Sequence, residues 1–230
     1  MRQVTHKGDH LTFASLGLSA DLPYGIMNCE YLPGVFRRYS EKFESRSSIS
    51  RDGYLGLLHY IVAKKDKKLL NRIIKAGWKR NWDFDTMPEL NSSKDYTNMA
   101  PLIPLFYALK WHLNNSGNIR KFLTQLILTI YVMPPILKAK TGYRAHLGVL
   151  GVLLAMRVGI RSKYHEIIMK DYVKYNKQNP LFRLMYLKLS GKPYDYSEVM
   201  QDFEPVIGCH GWGSCEPDVF EGLCRIVDHL

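Results

Sequence analysis

Tyr54-Leu-Gly-Leu-Leu-His-Tyr-Ile-Val-Ala63 is echoed by His146-Leu-Gly-Val-Leu-Gly-Val-Leu-Leu-Ala155. Both stretches are apolar on nearly every side, which predicts buried helices. Each is followed by a short polar turn and a second, amphipathic run, Leu69 to Trp78 in the first case and Tyr164 to Val173 in the second. Between them the plan recurs, with Pro101 to Leu113 as a first helix, Asn114 to Gly117 as a turn and Ile119 to Tyr131 as a second helix. The starts at Tyr54, Pro101 and His146 lie 47 and 45 residues apart, a period that accommodates two helices and their connections. The pattern predicts an all-α chain of repeated helical hairpins.

Working outward, Leu69, Leu70, Ile73, Ile74 and Trp78 step by three and four residues, the signature of one buried face. Ile119, Phe122, Leu123, Leu126, Ile127 and Ile130 do the same, and that run stops at Pro134-Pro135. A shorter fourth unit is expected from Pro180 to Ser190, the turn Gly191-Lys-Pro, and Ser197 to Phe203. The tail ends in a helix from Pro217 to His229. Before Ser50 the glycines and prolines Gly8, Gly17, Pro23, Gly25, Pro33 and Gly34 break up long elements, leaving loops and one helix around Val35 to Phe43. The expected organisation is a single domain over 1–230, with an irregular segment over 1–49, hairpins over 50–203 and a tail over 204–230.

The 230 residues are 46% hydrophobic, enough for a sizeable core. The richest apolar runs, Phe122 to Leu137 and Leu147 to Met156, are too short or too interrupted to span a membrane, which takes roughly 20 apolar residues, and both read as buried helices. The N-terminus lacks the apolar stretch of an export signal, so a cytoplasmic location is the default expectation. Cys29, Cys209, Cys215 and Cys224 are too few and too scattered for a disulfide framework. The late three, with His210, do not have the spacing of a zinc module, so reduced thiols and no metal are expected. No Gly-rich phosphate loop, HExxH pair or GxSxG elbow is present, and no cofactor is implied.

Thirty-two Lys+Arg against 21 Asp+Glu give a formal charge of +11, which attracts polyanions: acidic polysaccharide, nucleic acid or anionic lipid. The cations cluster early, at Arg37, Arg38, Lys42, Arg46 and Arg51, then at Lys64, Lys65, Lys67, Lys68, Arg72, Lys75, Lys79 and Arg80. The second group falls on the turn and polar face of a hairpin, where lysines commonly do no more than solvate.

Ser50-Arg51-Asp52-Gly53-Tyr54-Leu55-Gly56-Leu57-Leu58 resembles the Ser-Arg-Asp opening of an inner helix in some bacterial and phage toroid-like proteins associated with glycans. The hairpin period over Ser50 to Phe203 likewise resembles α/α-toroid proteins, in which first helices line the inside of a ring and second helices form the outside. Complete toroids have more hairpins than the three clear ones and short fourth found here, so the resemblance implies a partial toroid or open arc. It also implies a carbohydrate-active protein, a glycoside hydrolase or polysaccharide lyase.

A hydrolase needs two carboxyl groups flanking the scissile bond. Asp52, at the mouth of the first inner helix, is the leading acid candidate, with Glu44, Asp83 or Asp85 as partner and Trp82 as a flat face for a sugar ring. The plainer account of Asp52 is a carboxylate held at a helix N-terminus. A lyase needs a base and a group to neutralise a uronate; Tyr143 and His146 fit the first duty, and Arg144 or Arg51 the second. His59 is expected as a hydrogen-bonded core or groove residue, and the Met and Tyr side chains of Leu181 to Leu189 as core. Two other readings stay open: a non-catalytic helical-repeat module that holds a protein partner, and a nucleic-acid binder using Arg37 to Arg80.

Overall fold

The computed structural model describes residues 26–37, 49, 51–84, 98–130, 143–177, 179–201 and 217–230. Over these the chain is predominantly helical, as the periodicity requires. Contacts divide it into two compact units, Met1–Thr124 and Gln125–Leu230.

The first unit opens with strands β1 (Glu30–Leu32) and β2 (Val35–Phe36), paired antiparallel with Glu30 opposite Phe36. This corrects the helix expected from Val35: Val35 and Phe36 are extended, while residues 38–43 lie outside the described residues. The turn depends on Gly34, whose φ is +81°, and a Cβ there would lie 2.5 Å from the carbonyl oxygen of Arg72. Only glycine meets both conditions without strain. Glu30 then reaches across to Arg72, with Nε–Oε1 at 2.8 Å and Nη2–Oε2 at 2.9 Å, a two-pronged ion pair.

Helix α1 (Arg51–Lys64) is buried from Asp52 to Val62 apart from Tyr60, as its all-round apolar sequence predicts. The chain reverses through Lys65, at φ +52°, and Asp66, whose carboxylate accepts from the backbone N–H of Leu69 at 2.9 Å and caps α2 (Lys67–Lys79). Leu69, Leu70, Ile73, Ile74, Ala76 and Gly77 form the buried face of α2. Trp78 does not belong to it: the side chain is 59% exposed, a correction to the sequence reading. A single 3-10 turn (Ala100–Leu102) leads into α3 (Ile103–Leu113), whose buried residues are Leu105, Phe106, Ala108 and Leu109.

Helix α4 (Asn118–Ile130) holds a second correction. Its apolar side was expected in the core, yet Ile119, Phe122, Leu126 and Ile130 are 77%, 61%, 42% and 51% exposed, while Thr124 and Leu128 are the buried positions. The inward side is anchored by the Thr124 hydroxyl, which contacts the carbonyls of Ala108 and Arg120 at 3.2 and 2.8 Å.

In the second unit, α5 (Tyr143–Arg157) is buried without interruption from Gly148 to Met156. Helix α6 (Lys163–Tyr175) is capped by Ser162, which accepts from the His165 N–H at 3.2 Å, and buries His165, Ile168, Met169 and Tyr172. Helix α7 (Pro180–Ser190) starts at the Asn179 cap and stops at Gly191, φ +65°. It packs against α6 through Tyr172 and Phe182, centroids 5.5 Å apart, and also against α8 (Tyr196–Gln201) and α9 (Pro217–Asp228). Lys188 and Tyr194 fasten the end of α9 by bonds to the Asp228 carbonyl and carboxylate at 2.7 and 2.9 Å. No helix among the described residues is long and apolar enough to cross a membrane.

Candidate functional site

The two-residue reversal between α1 and α2 places the first turn of α1 and the last turn of α2 at one end of the pair. Side chains from both helices and from α3 meet there in an aromatic cluster. Tyr54 of α1 lies 5.3 Å from Phe84 and 6.4 Å from Phe106 of α3, ring centre to ring centre. Trp82 lies 5.4 Å from Phe106, 6.5 Å from Phe84 and 6.0 Å from Trp78, the last approached edge to face. The Tyr54 hydroxyl accepts from the Phe36 N–H at 2.8 Å, so the β-hairpin is tied to the same cluster. Burial pushes the phenol far above its usual range, against the opposing effect of the bond from the Phe36 N–H, and it stays neutral.

The backbone supports this packing by an unusual turn. Asn81 and Trp82 both have positive φ, +50° and +60°, a conformation that costs L-residues roughly 1–2 kcal/mol each. The turn folds Trp82 back over Gly77, where a Cβ would come within 2.6 Å of the indole. The Trp82 carbonyl accepts from Met99 N–H at 2.7 Å, and Asp83 bridges to Asn98, so the chain on either side of residues 85–97 is joined beneath the cluster.

Trp78 is the outermost member of the cluster. Its Nε1–H donates to the Tyr107 hydroxyl at 2.7 Å, while its ring rests against the edge of Trp82. Tyr107 is half-buried, 6.3 Å from Trp111 and 5.9 Å from the Lys110 ammonium. Lys75 and Lys79, one turn before Trp78 and next to it, are exposed, and neither α2 nor α3 contains a carboxylate. The result is an aromatic surface, fixed in place by packing and a hydrogen bond and bordered by cations. His112, at the end of α3, is held neutral at physiological pH because partial burial lowers its pKa, so the charge of the face comes from lysine.

Of the residues singled out in the sequence, Arg51, Asp52, Trp82 and Asp83 come to this end of the first helix pair. Asp52 is buried in the first turn of α1 and Arg51 is half-buried beside it, while Asp83 is exposed. Trp82 has a different role from the one expected. At 2% exposure, and with Phe84, Phe106 and Trp78 around it, it presents no face to a sugar ring. Tyr143, Arg144 and His146 occupy the first turn of α5, in the second unit, with side chains outside the described residues. Glu44, Asp85, Cys209, His210 and Cys215 also lie outside them.

The early basic run is not uniform. Arg37 is buried with its guanidinium 3.5 Å from the centre of the Tyr31 ring, and Arg72 is spent on Glu30. Lys64, Lys65, Lys67, Lys68, Lys75 and Lys79 are exposed. Cys29 and Cys224 are free and buried, with burial pushing both thiols up to about 12, far from a reactive thiolate. Among the described residues no three His, Cys, Asp or Glu side chains gather as a metal site would require.

Sequence reasoning missed Trp78, Tyr107, Lys110 and Trp111. A signal was present: Trp78 sits one position beyond Gly77 and between Lys75 and Lys79, so it falls at the margin of the apolar face of α2. Comparison with protein-family models, with curated proteins and with solved structures gives no match to this chain.

Proposed function

We propose that the chain binds an acidic polysaccharide across the outer face of α2 and α3, on a scaffold of helical hairpins of partial α/α-toroid type. The observation that carries this reading is Trp78: a large aromatic ring that is mostly exposed and nevertheless held at both its edge and its Nε1. A ring that a protein merely fails to bury keeps its rotamer freedom. One that is clamped while facing water loses less entropy on binding, which is what a stacking surface requires. Sugar rings present C–H faces that cover such an indole, and Lys75, Lys79 and Lys110 supply positive charge for uronate or sulfate groups.

The test is calorimetric titration of the full chain with a polyuronate, a sulfated glycan and neutral dextran. Binding of the acidic polymers and not of dextran is expected. Affinity should fall as salt is raised, because the Debye length shrinks from about 10 Å at 0.1 M to about 3 Å at 1 M and exposed lysines are screened. Indifference to all three polymers, or preference for a single-stranded oligonucleotide over the acidic glycans, refutes the proposal.

A second reading, a helical module that holds a protein partner, is favoured by one separate observation, the outward apolar side of α4.

A further inference from the structure

The exposed cations of α2 form a line. At about 100° per residue, Lys68, Lys75 and Lys79 fall within about 40° of one another around the helix, opposite the buried Leu70, Ile73 and Gly77. Lys68 and Lys79 are eleven residues apart, which at about 1.5 Å per residue separates them by roughly 16 Å along the axis. Arg72 falls on the same line but is held by Glu30. Trp78 stands at the Lys79 end, and the exposed Lys67 adds an amine at the other.

Among the described residues none of these lysines has a carboxylate partner, and α2 itself contains no acidic residue. Exposed cations elsewhere in the chain are treated differently. On α6 Lys163 pairs with Glu166 at 3.3 Å, and on α9 Arg225 pairs with Glu221 at 2.6 Å. A surface that only solvates mixes the two signs in that way. Lys75 and Lys79, four residues apart, repel each other across one helical turn. An acidic chain laid along the line relieves that repulsion at each amine it reaches.

The direction follows from the same charges. A chain running along α3 would pass Tyr107 and Trp111, but the one lysine there, Lys110, is half-buried and lies 5.9 Å from the centre of the Tyr107 ring. No second amine follows it on α3. Along α2 the amines recur from end to end.

We propose that the acidic polysaccharide lies lengthwise along α2, with one sugar stacked on Trp78 and successive acidic groups passing Lys79, Lys75 and Lys68. The site then takes an extended segment of roughly 16 Å, and a disaccharide engages its Trp78 end alone. This rests on the glycan reading of Trp78 and adds to it a direction and a minimum ligand length.

Titration of the full chain with oligouronates of increasing length, followed by the indole N–H resonance of Trp78, tests the proposal. The resonance registers millimolar as well as micromolar binding. Affinity should rise with length and level off once the segment spans the line. Lys67→Gln combined with Lys68→Gln should lower the ratio of long-oligomer to disaccharide affinity at least about threefold, the effect of losing two solvent-exposed charge contacts. Lys75→Gln is the second variant should the double disturb the start of α2. Lys170→Gln combined with Lys174→Gln, exposed positions on α6, makes an equal change in net charge and should leave the ratio unchanged. Disaccharide binding as tight as that of the long oligomer, a ratio indifferent to the α2 variants, or an equal fall in the α6 variant each overturns the lengthwise placement while leaving the glycan reading in place. So does a ratio that falls on Trp111→Ala and not on the lysine substitutions, which would run the chain along α3. Failure of every acidic oligomer to bind, or tighter binding of a single-stranded oligonucleotide of equal length, refutes the glycan reading itself.

Discussion

Replacing Trp78 with alanine removes the aromatic surface while leaving the lysines that border it. Aromatic side chains present about 150–250 Å², and with 59% of Trp78 exposed roughly 100–150 Å² is available to a ligand. A sugar ring covers one face, about half of that. At about 25 cal/mol per Å² of apolar surface removed from water, stacking contributes roughly 1.3–1.9 kcal/mol, and about 1.4 kcal/mol is a tenfold change in affinity. Trp78→Ala should therefore weaken binding of an acidic polysaccharide by about ten- to twentyfold. Stability should change little, because the bond to Tyr107 is exposed and net hydrogen-bond contributions are about 0.5–1.5 kcal/mol. The assay is calorimetric titration of both proteins at one ionic strength, with urea unfolding in parallel. Binding within twofold of wild type would show that the ring is not used. A loss of affinity matched by unfolding of several kcal/mol would show that Trp78 is a structural residue.

Gly34→Ala adds a Cβ 2.5 Å from the Arg72 carbonyl in a left-handed conformation; steric strain of about 1–3 kcal/mol and a conformational penalty of about 1–2 kcal/mol predict a lower urea midpoint, and an unchanged midpoint would mean the hairpin does not rest on α2 as described. Tyr54→Phe leaves the Phe36 N–H unpaired inside the protein and should cost about 1–3 kcal/mol by the same measurement, with a change under about 0.5 kcal/mol contradicting that bond. His165 is fully buried, with Nε2 3.3 Å from the Leu128 carbonyl, and desolvation lowers its pKa below the ordinary 6.5 despite the opposing effect of that bond. The unfolded chain therefore binds the proton more readily, and stability contributed by neutral His165 is present above about pH 6.5 and lost as pH falls below it. Thermal melts of wild type and His165→Gln between pH 7.5 and 5 should show the wild type losing more, and parallel curves would refute the assignment.

The helical class and most helix positions were legible because the periodicity of apolar residues is local. α1 and α5 are apolar all round, so burial follows whichever way the helix is turned. α2 and α4 are amphipathic, and there periodicity specifies that a distinct side exists without specifying what lies against it. For α2 the inference of burial holds through Gly77 and fails at Trp78. The inner neighbour there is Trp82, which packs on Gly77 through two successive residues of positive φ and leaves Trp78 against its ring on the outside. No propensity marks Asn81-Trp82 for that turn. The β-hairpin was missed for a related reason: Pro33-Gly34 signals a turn, but what makes the flanking pairs extended is their distant partners, Tyr54 and Arg72.

The candidate site shows the same division. Asp52 and Arg51 were found through a local resemblance, and Trp82 as a flat aromatic face beside Asp83 and Asp85. Trp82 was expected to offer the stacking face and Trp78 to be buried; tertiary packing reverses the two, with Trp82 2% and Trp78 59% exposed. α4 is the larger reversal, because its entire apolar side faces away from Thr124 and Leu128. Both departures concern large apolar side chains that the fold leaves exposed, and in both the amphipathic period marks a distinct side of the helix while the residues that would have to cover it are set by tertiary packing.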